Sequence, residues 1–223
     1  LIPYLNKYTL IGTTDHEVDS YENPKITNEE KNYLINSVNE FIKTKICDKD
    51  IVWTYAGVRP LVEDFNEKAS KITRDYTFEI NDTLAPILTI FGGKLTTYRK
   101  LSEHALDKLS NYLNFPNKSW TGKEILPGGN IAIKSKLDIP ENMIARLENI
   151  YGDKIYKLNE YFLKLDNGGE KISEDLYEYE VKYLVDEELV KTADDILFRR
   201  TKLGIDFPTN LKEKLNSILK RHL

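Results

Sequence analysis

Cysteine, methionine and long apolar runs are scarce or absent in this sequence of 223 residues. The one cysteine, Cys47, cannot close an intrachain disulfide and leaves no cysteine cluster for zinc, which suggests a reducing compartment. No apolar run approaches the roughly 18 residues that a membrane-spanning helix needs. Neither a Gly-x-Gly-x-x-Gly motif nor a Walker motif occurs, so no complete dinucleotide-binding unit can be read here.

A strong charge of either sign is also missing. The 32 basic and 36 acidic residues give a net charge of −4, which argues against a general nucleic-acid-binding surface. Apolar residues make up 40% and charged residues 30% of the sequence, a balance that permits a hydrophobic core and argues against disorder.

The first residues do not look like the start of an ordinary translation product. The only methionine is Met143, and the sequence opens on Leu1 without a charged segment or an apolar leader segment. We therefore expect this sequence to be part of a longer protein.

The first half of the sequence alternates strand signals with helix signals. Apolar and β-branched residues predict strands over 8–12 and 51–55. Thr27 and Glu30 form a capping-box pattern, and we expect a helix from there to about Lys45. The residues expected on its buried face are Leu34, Val38, Phe41 and Ile42.

A hairpin followed by a helix is the most informative local pattern. Strict alternation over 72–80 predicts one strand, and 86–91 predicts its partner after a turn at 81–82. Gly92 and Gly93 then end the strand, and a long amphipathic helix is expected to about residue 113.

Proline and glycine cluster between residues 114 and 134, which predicts a domain boundary near residue 120. Beyond the boundary the periodicity is helical throughout. The predicted fold class is therefore α+β, with antiparallel strands and helices over 1–119 and an all-α domain over 120–223.

The segment from Gly92 to Arg99 is the first candidate site. Glycines let another group approach the backbone, and a helix start exposes unpaired N–H groups at the positive end of the helix dipole. Such a junction stabilises an anion or an electron-rich carbonyl, including the pyrimidine edge of a reduced flavin. The alternative is a tight strand-to-helix turn with threonine caps and no ligand.

Two arginines are further candidates. Arg74 falls on the apolar face of its predicted strand, where a guanidinium needs an anionic partner. Arg59 falls where a predicted strand ends at a turn. Together with Lys94 they can neutralise a dianionic phosphomonoester. The alternatives are a protein carboxylate as the partner of Arg74 and a solvated loop position for Arg59.

The other reactive side chains are expected to have ordinary roles. His16, His104 and His222 lack metal-ligand spacing, so we expect no metal site, and Cys47 has no basic cluster to activate it. The last helix is basic and amphipathic, and either contacts anionic lipid or packs on its own domain, the reading we favour. Its basic residues are Lys212, Lys214, Lys220 and Arg221.

Several longer motifs, taken in order, resemble those of the FAD-dependent (aerobic) glycerol-3-phosphate dehydrogenases. They lie at 10–15, 53–61, 72–76, 91–101, 126–129, 181–186 and 193–202. The resemblance covers nearly the whole chain apart from the segments around 20–26 and 135–180. It implies oxidation of sn-glycerol 3-phosphate to dihydroxyacetone phosphate, by hydride transfer to FAD, with electrons passed on to a quinone at the membrane surface.

The resemblance also implies roles for individual residues. Arg59 and Arg74 fall where the family has substrate-site arginines, and Lys94 falls on the lysine of the family's Gly-Gly-Lys motif. Arg59 and Lys94 are thus the predicted catalytic residues, and Arg59, Arg74 and Lys94 the predicted substrate-binding residues. The residues predicted to border the flavin are Gly92, Gly93, Lys94, Leu95 and Thr96. The helical domain is implied to have a structural or interaction role.

Parts of the family pattern have no counterpart here. The family's glycine-rich FAD fingerprint and further substrate groups, including a histidine, lie upstream, so we expect the isolated fragment to be inactive and to bind FAD weakly or not at all. The resemblance implies a cytoplasmic location, and peripheral binding to the inner face of the cytoplasmic membrane and a homodimer are left open. Two alternative functions also stay open: a glycerol-3-phosphate oxidase that uses oxygen, and a non-catalytic helical interaction module.

Overall fold

Short antiparallel hairpins and helices make up the protein, whose computed structural model describes residues 1–59, 75–114, 119–130 and 137–223. The chain divides into two units, 1–123 and 124–223. Both contain helices and two-stranded antiparallel sheets, two in the described part of the first unit and one in that of the second, so the predicted combination of helices and antiparallel strands is confirmed. The assignment of the first unit to a domain that binds FAD and substrate stays a prediction.

The first unit begins with a small hairpin and a capped helix. Strand β1 (Ile2–Tyr4) pairs with β2 (Tyr8–Leu10), and helix α1 covers Asn28–Asn39. The predicted capping box is confirmed, because the Glu30 N–H donates to the Thr27 hydroxyl at 3.2 Å and the Thr27 N–H donates to the Glu30 carboxylate at 2.9 Å.

Helix α1 ends earlier than the sequence predicts. The Asn39 side chain donates to the carbonyl of Ile46 and accepts from its N–H, both at 2.9 Å, and this exchange folds the chain back before Lys45. The predicted buried face is wrong in part: Phe41 is 84% exposed, and Ile35 is the buried residue of this helix.

The strand predicted over 51–55 is wrong. These residues have no regular secondary structure and pair with no strand among the described residues. Trp53 and Tyr55 stack on each other with ring centroids 5.3 Å apart and stay largely exposed. Aromatic and β-branched residues favour strands only where cross-strand neighbours cover them, and no described strand pairs with 51–55.

The predicted hairpin is confirmed over its described part. Strand β3 (Tyr76–Asn81) pairs with β4 (Ile87–Gly92), and the register places Tyr76 opposite Gly92 and Phe78 opposite Ile90. The end of β4 is therefore fixed against the start of β3.

Two glycines carry the chain from β4 into the next helix. Gly92 and Gly93 have φ values of 74° and 98°, in the region that L-residues rarely adopt. A 3₁₀ turn at Leu95–Thr97 then leads into helix α2 (Tyr98–Leu109). A Cβ atom added at Gly93 would lie 3.1 Å from Cδ1 of Leu101, so this glycine lets the helix pack closely against the hairpin end.

The second unit is built from helices. Its helices are α3 (Glu141–Tyr151), α4 (Ile155–Lys164), α5 (Glu178–Glu188) and α6 (Lys212–His222). A π-helical segment at Asp195–Arg200 lies between α5 and α6. The last helix lies where the sequence predicts it.

The prediction that this unit is all-α is wrong in one element. Strand β5 (Lys171–Ser173) pairs with β6 (Leu176–Tyr177), and both strands bury one apolar side chain. The four residues at 166–169 all have positive φ and reverse the chain before β5. The turn signal Asp-Asn-Gly-Gly sits inside a stretch of helical periodicity, which masks it.

Burial is distributed very unevenly between the units. Among the described residues, Ile35 is the one buried apolar side chain of the first unit. The second unit contains the core, whose completely covered members include Leu147, Leu158, Leu176, Tyr179, Val181, Leu184, Ile196, Leu197 and Leu215. The second unit thus has its own hydrophobic stabilisation.

One buried ion pair sits within that core. Glu180 is completely buried, and the Arg146 guanidinium donates to both of its oxygens at 3.1 and 2.6 Å. The Tyr151 hydroxyl donates to the same carboxylate at 2.8 Å, and burial together with this negative charge raises the pKa of Tyr151 well above its ordinary value. Two partners therefore compensate the buried charge.

We predict that Arg146→Ala destabilises the second unit by about 3–5 kcal/mol, because it leaves the Glu180 carboxylate buried without a cation. Among the described residues the buried tyrosines all lie in the second unit, and near-ultraviolet circular dichroism comes mainly from immobilised rings, so the tyrosine signal during urea unfolding reports mainly on this unit. Arg199→Ala is the matched control, since Arg199 is 66% exposed in its pair with Asp195. Equal unfolding midpoints for the two variants would contradict this account.

We predict that Gly93→Ala destabilises the first unit by about 1–2 kcal/mol, because an alanine at positive φ is strained and its Cβ meets Leu101. Gly57→Ala is the control: no atom lies within 4 Å of its added Cβ, so the change should be neutral or slightly stabilising. Tryptophan fluorescence during urea unfolding follows the first unit. A Gly93→Ala midpoint at or above that of Gly57→Ala would show that the junction is unstrained.

Candidate functional site

Arg59, the first of the predicted substrate-binding cations, is held by a carboxylate. Its Nη1 donates to Oδ2 of Asp15 at 2.5 Å, and the two side chains are 43% and 40% exposed. Among the described residues no other acceptor contacts the Arg59 guanidinium, so no other described group occupies its remaining N–H groups. Arg59 is therefore fixed along one edge and is more than a solvated loop residue.

The loop that carries Asp15 is fastened to the start of α1 by Glu30. Oε1 of Glu30 accepts from the Thr14 hydroxyl at 2.5 Å and lies 3.0 Å from Nδ1 of His16. The bond from Thr14 and the bond from the Thr27 N–H are the main causes that lower the pKa of Glu30 to about 2. An ionised Glu30 thus holds the residues on both sides of Asp15.

Lys94 lies at the start of the helical segment with its side chain exposed. Within the described part of the chain no carboxylate forms an ion pair with its ammonium group. The Lys94 N–H donates to the Thr97 hydroxyl at 3.3 Å, and that hydroxyl donates to the Lys94 carbonyl at 2.9 Å. Thr97 therefore secures the backbone of Lys94 and leaves its charge available.

The first helical residues after Lys94 are open to solvent. Leu95 is 89% exposed and Thr96 is exposed. The first N–H groups of a helix have no acceptor within it and lie at the positive end of its dipole. This arrangement fits the electron-rich pyrimidine edge of a flavin. Gly93, by contrast, is required by its packing against Leu101 whether or not a flavin binds.

Arg74 lies in 60–74, outside the described residues. The predicted meeting of Arg59, Arg74 and Lys94 around one phosphate therefore stays a prediction. Arg59 and Lys94 both belong to the first unit.

Sequence reasoning missed a polar cluster on α2. Glu103 accepts from Arg99 at 3.1 Å, from the Ser119 hydroxyl at 2.5 Å and from the Thr121 hydroxyl. The two hydroxyl bonds are the largest causes that lower the pKa of Glu103. The spacing of Arg99 and Glu103 is typical of a helix-surface pair, but no local signal links them to residues 119 and 121.

Each of the three histidines contacts a side chain of the same unit. Nδ1 of His104 lies 2.7 Å from the Tyr76 hydroxyl and joins α2 to the hairpin. His16 contacts Glu30 as described above, and Nε2 of His222 lies 3.0 Å from Glu178.

The last helix packs on its own unit, as favoured from the sequence. Its apolar face is buried, and two of its basic residues, Lys214 and Arg221, pair with Glu170 at 3.1 and 3.0 Å. Carboxylates of the same chain thus neutralise part of the positive charge that would otherwise attract an anionic lipid surface. In the described ranges no helix combines the length and the hydropathy needed to cross a bilayer.

Comparison with known proteins accounts for both units. Residues 1–99 match the family model described as FAD dependent oxidoreductase. Residues 119–221 match the model described as the C-terminal domain of alpha-glycerophosphate oxidase. The two matches follow each other along the chain and leave only short segments outside.

Curated relatives agree with these matches. The aerobic glycerol-3-phosphate dehydrogenase of Escherichia coli (strain K12) is 42% identical over 218 residues, which cover 92% of this chain and 44% of the relative. A glycerol-3-phosphate dehydrogenase of Pseudomonas tolaasii is 40% identical over 92% of this chain and 42% of its own length. The D-erythritol 1-phosphate dehydrogenase of Brucella abortus (strain 2308) is 36% identical over 90% of this chain and 42% of its own. The chain spans less than half the length of these relatives, and the two model matches together with these identities support a fragment similar to the FAD-dependent glycerol-3-phosphate dehydrogenases.

Proposed function

We propose that this chain is part of a flavoenzyme that oxidises sn-glycerol 3-phosphate to dihydroxyacetone phosphate. The observation that carries the proposal is the 42% identity with the aerobic dehydrogenase over 92% of the chain. The exposed charges of Arg59 and Lys94 support it, because a phosphorylated polyol needs cations that protein carboxylates have not fully neutralised.

Arg59 binds the substrate phosphate in this proposal. Asp15 contacts one nitrogen of the guanidinium, and the remaining N–H groups suit the oxygens of a phosphate. A guanidinium held in this way loses little further freedom when the phosphate binds, so its position orients the 2-hydroxyl of the substrate. Arg74 would supply a second guanidinium to the same phosphate.

Lys94 adds a positive charge beside the reacting part of the substrate. Its backbone is fixed by Thr97, while its ammonium group is exposed and carries no ion-pair partner among the described residues. The ammonium group would balance the negative charge of the phosphate and of the reduced cofactor.

The residues that would hold FAD in this chain lie at the start of the helical segment. FAD, when bound, supplies the two-electron acceptor for the hydride that leaves the C2 carbon of the substrate. Gly92, Gly93 and Lys94 would border the ring, and the N–H groups of Leu95 and Thr96 would donate to its pyrimidine edge. We expect the 223-residue chain by itself to be inactive and to retain little flavin, because it spans less than half of its relatives' length.

The likeness to D-erythritol 1-phosphate dehydrogenase supports a second substrate of the same class. That relative is 36% identical to the chain, which is less than the 42% and 40% of the two glycerol-3-phosphate dehydrogenases. Both substrates are polyol phosphates, so Arg59 and Lys94 serve either one. We favour glycerol 3-phosphate.

A non-catalytic interaction module is the alternative from another class. The second unit has a core of its own and buries the apolar face of its last helix, which suits a structural role for this unit. The exposed cations and helix start of the first unit favour catalysis.

We predict that Arg59→Ala in the complete enzyme lowers kcat/KM for glycerol 3-phosphate, because charge-assisted contacts to the phosphate are lost. The expected loss of transition-state stabilisation is about 2–4 kcal/mol. Arg199→Ala, an exposed arginine of the second unit, should leave kcat/KM unchanged. Steady-state kinetics with flavin content measured in each sample gives the answer. An Arg59→Ala enzyme with full flavin and full activity would exclude Arg59 from the substrate site.

We predict that the complete enzyme transfers electrons from glycerol 3-phosphate to a quinone, with little oxygen consumed. Parallel assays of quinone reduction and of peroxide formation on the same sample make the comparison. Stoichiometric peroxide with slow quinone reduction would identify a glycerol-3-phosphate oxidase instead, and flavin-free protein without either activity would favour the interaction module.

A further inference from the structure

Asp15 carries no role in the proposed function, yet it makes the one contact between a described residue and the Arg59 guanidinium. The two residues are 44 positions apart, and Oδ2 of Asp15 lies 2.5 Å from Nη1 of Arg59. Surface ion pairs of this kind contribute little to folding stability. The contact with Asp15 therefore matters mainly because it restricts the conformation of the Arg59 side chain.

The two sequence neighbours of Asp15 are both anchored by Glu30. Thr14 donates to Glu30 at 2.5 Å and His16 lies 3.0 Å from the same oxygen, so both neighbours of Asp15 are fastened to the start of α1. The Glu30 N–H in turn donates to the Thr27 hydroxyl of the capping box. A chain of polar contacts thus runs from helix α1 through the loop to Arg59.

The contact leaves the guanidinium able to bind a second anion. Asp15 accepts from Nη1, and no described residue accepts from Nη2 or Nε. A guanidinium presents five N–H donors in a planar fork, so one edge can meet a carboxylate while another meets a phosphate.

We propose that Asp15 is the positioning residue for Arg59, and that the loop 14–16, fastened by Glu30, sets the place at which Arg59 meets the phosphate of a phosphorylated polyol. The inference rests on the proposed function, since it assumes that Arg59 binds substrate. A free arginine side chain has several rotatable bonds, and its ordering on substrate binding is unfavourable. Asp15 orders it beforehand.

The opposite role for Asp15 is a competing anion that occupies Arg59 until substrate displaces it. A competitor must withdraw when the phosphate arrives, but the attachment of both neighbours to Glu30 restricts that movement. The two roles differ in sign, because removal of a competitor tightens substrate binding and removal of a positioning group weakens it.

The test compares Asp15→Ala, Asp15→Asn, Asp19→Ala and Arg59→Ala in the complete enzyme. Asp19 lies in the same loop and makes no ion pair or hydrogen bond with a described residue, so Asp19→Ala is the matched control. We expect Asp15→Ala to raise KM for glycerol 3-phosphate about tenfold with kcat within about twofold, from the lost ordering of one long side chain. Asp15→Asn keeps an acceptor oxygen at the same place and should recover most of that loss.

Each other outcome has a defined meaning. If Arg59→Ala raises KM and Asp15→Ala behaves like Asp19→Ala, the positioning role is wrong and the proposed function stands. If Asp15→Ala lowers KM, Asp15 is a competitor and the inference is overturned. If Arg59→Ala has no effect with flavin content intact, the proposed function fails, and the inference fails with it. Flavin content and urea unfolding midpoints of all four variants separate these effects from misfolding.

Discussion

Two consecutive backbone positions at positive φ determine how the candidate site is built. Gly92 still pairs with Tyr76 as the last residue of β4, and by Leu95 the chain is already helical. Only Lys94 stands between the second glycine and the helical turn. The lysine and the exposed N–H groups after it therefore have fixed places relative to the hairpin, which a flexible loop would not give them.

Different kinds of interaction stabilise the described parts of the two units. The second unit excludes water from a core of tyrosines and aliphatic residues, and it compensates its buried carboxylate, Glu180, with Arg146 and Tyr151. In the described part of the first unit, order comes instead from a hairpin, a capping box and small polar clusters at exposed positions. The residues proposed to bind substrate and flavin, Arg59 and 92–96, all belong to the first unit, where their charges and N–H groups are exposed.

Patterns within about ten residues predicted much of this structure, and contacts between distant residues did not follow from them. The capping box, the hairpin with its glycine pair and the last helix depend on neighbours in sequence. The end of α1 depends on Asn39 meeting Ile46, and the Asp15–Arg59 pair joins residues 44 apart, so no spacing indicated either. The cations Arg59 and Lys94 were found through their position next to chain breakers and through a family resemblance. Asp15 ends one of the resembling motifs, but nothing in the sequence linked it to Arg59.

The central claim is that Arg59 and Lys94 act on one phosphorylated substrate beside FAD. The most direct test is a crystal structure of the complete enzyme with FAD and glycerol 3-phosphate bound. The account predicts phosphate oxygens within hydrogen-bond distance of the Arg59 guanidinium, Asp15 still on its other edge, and the Lys94 ammonium beside the substrate. A substrate phosphate bound by other residues, with Arg59 contacting only Asp15 and solvent, would contradict it.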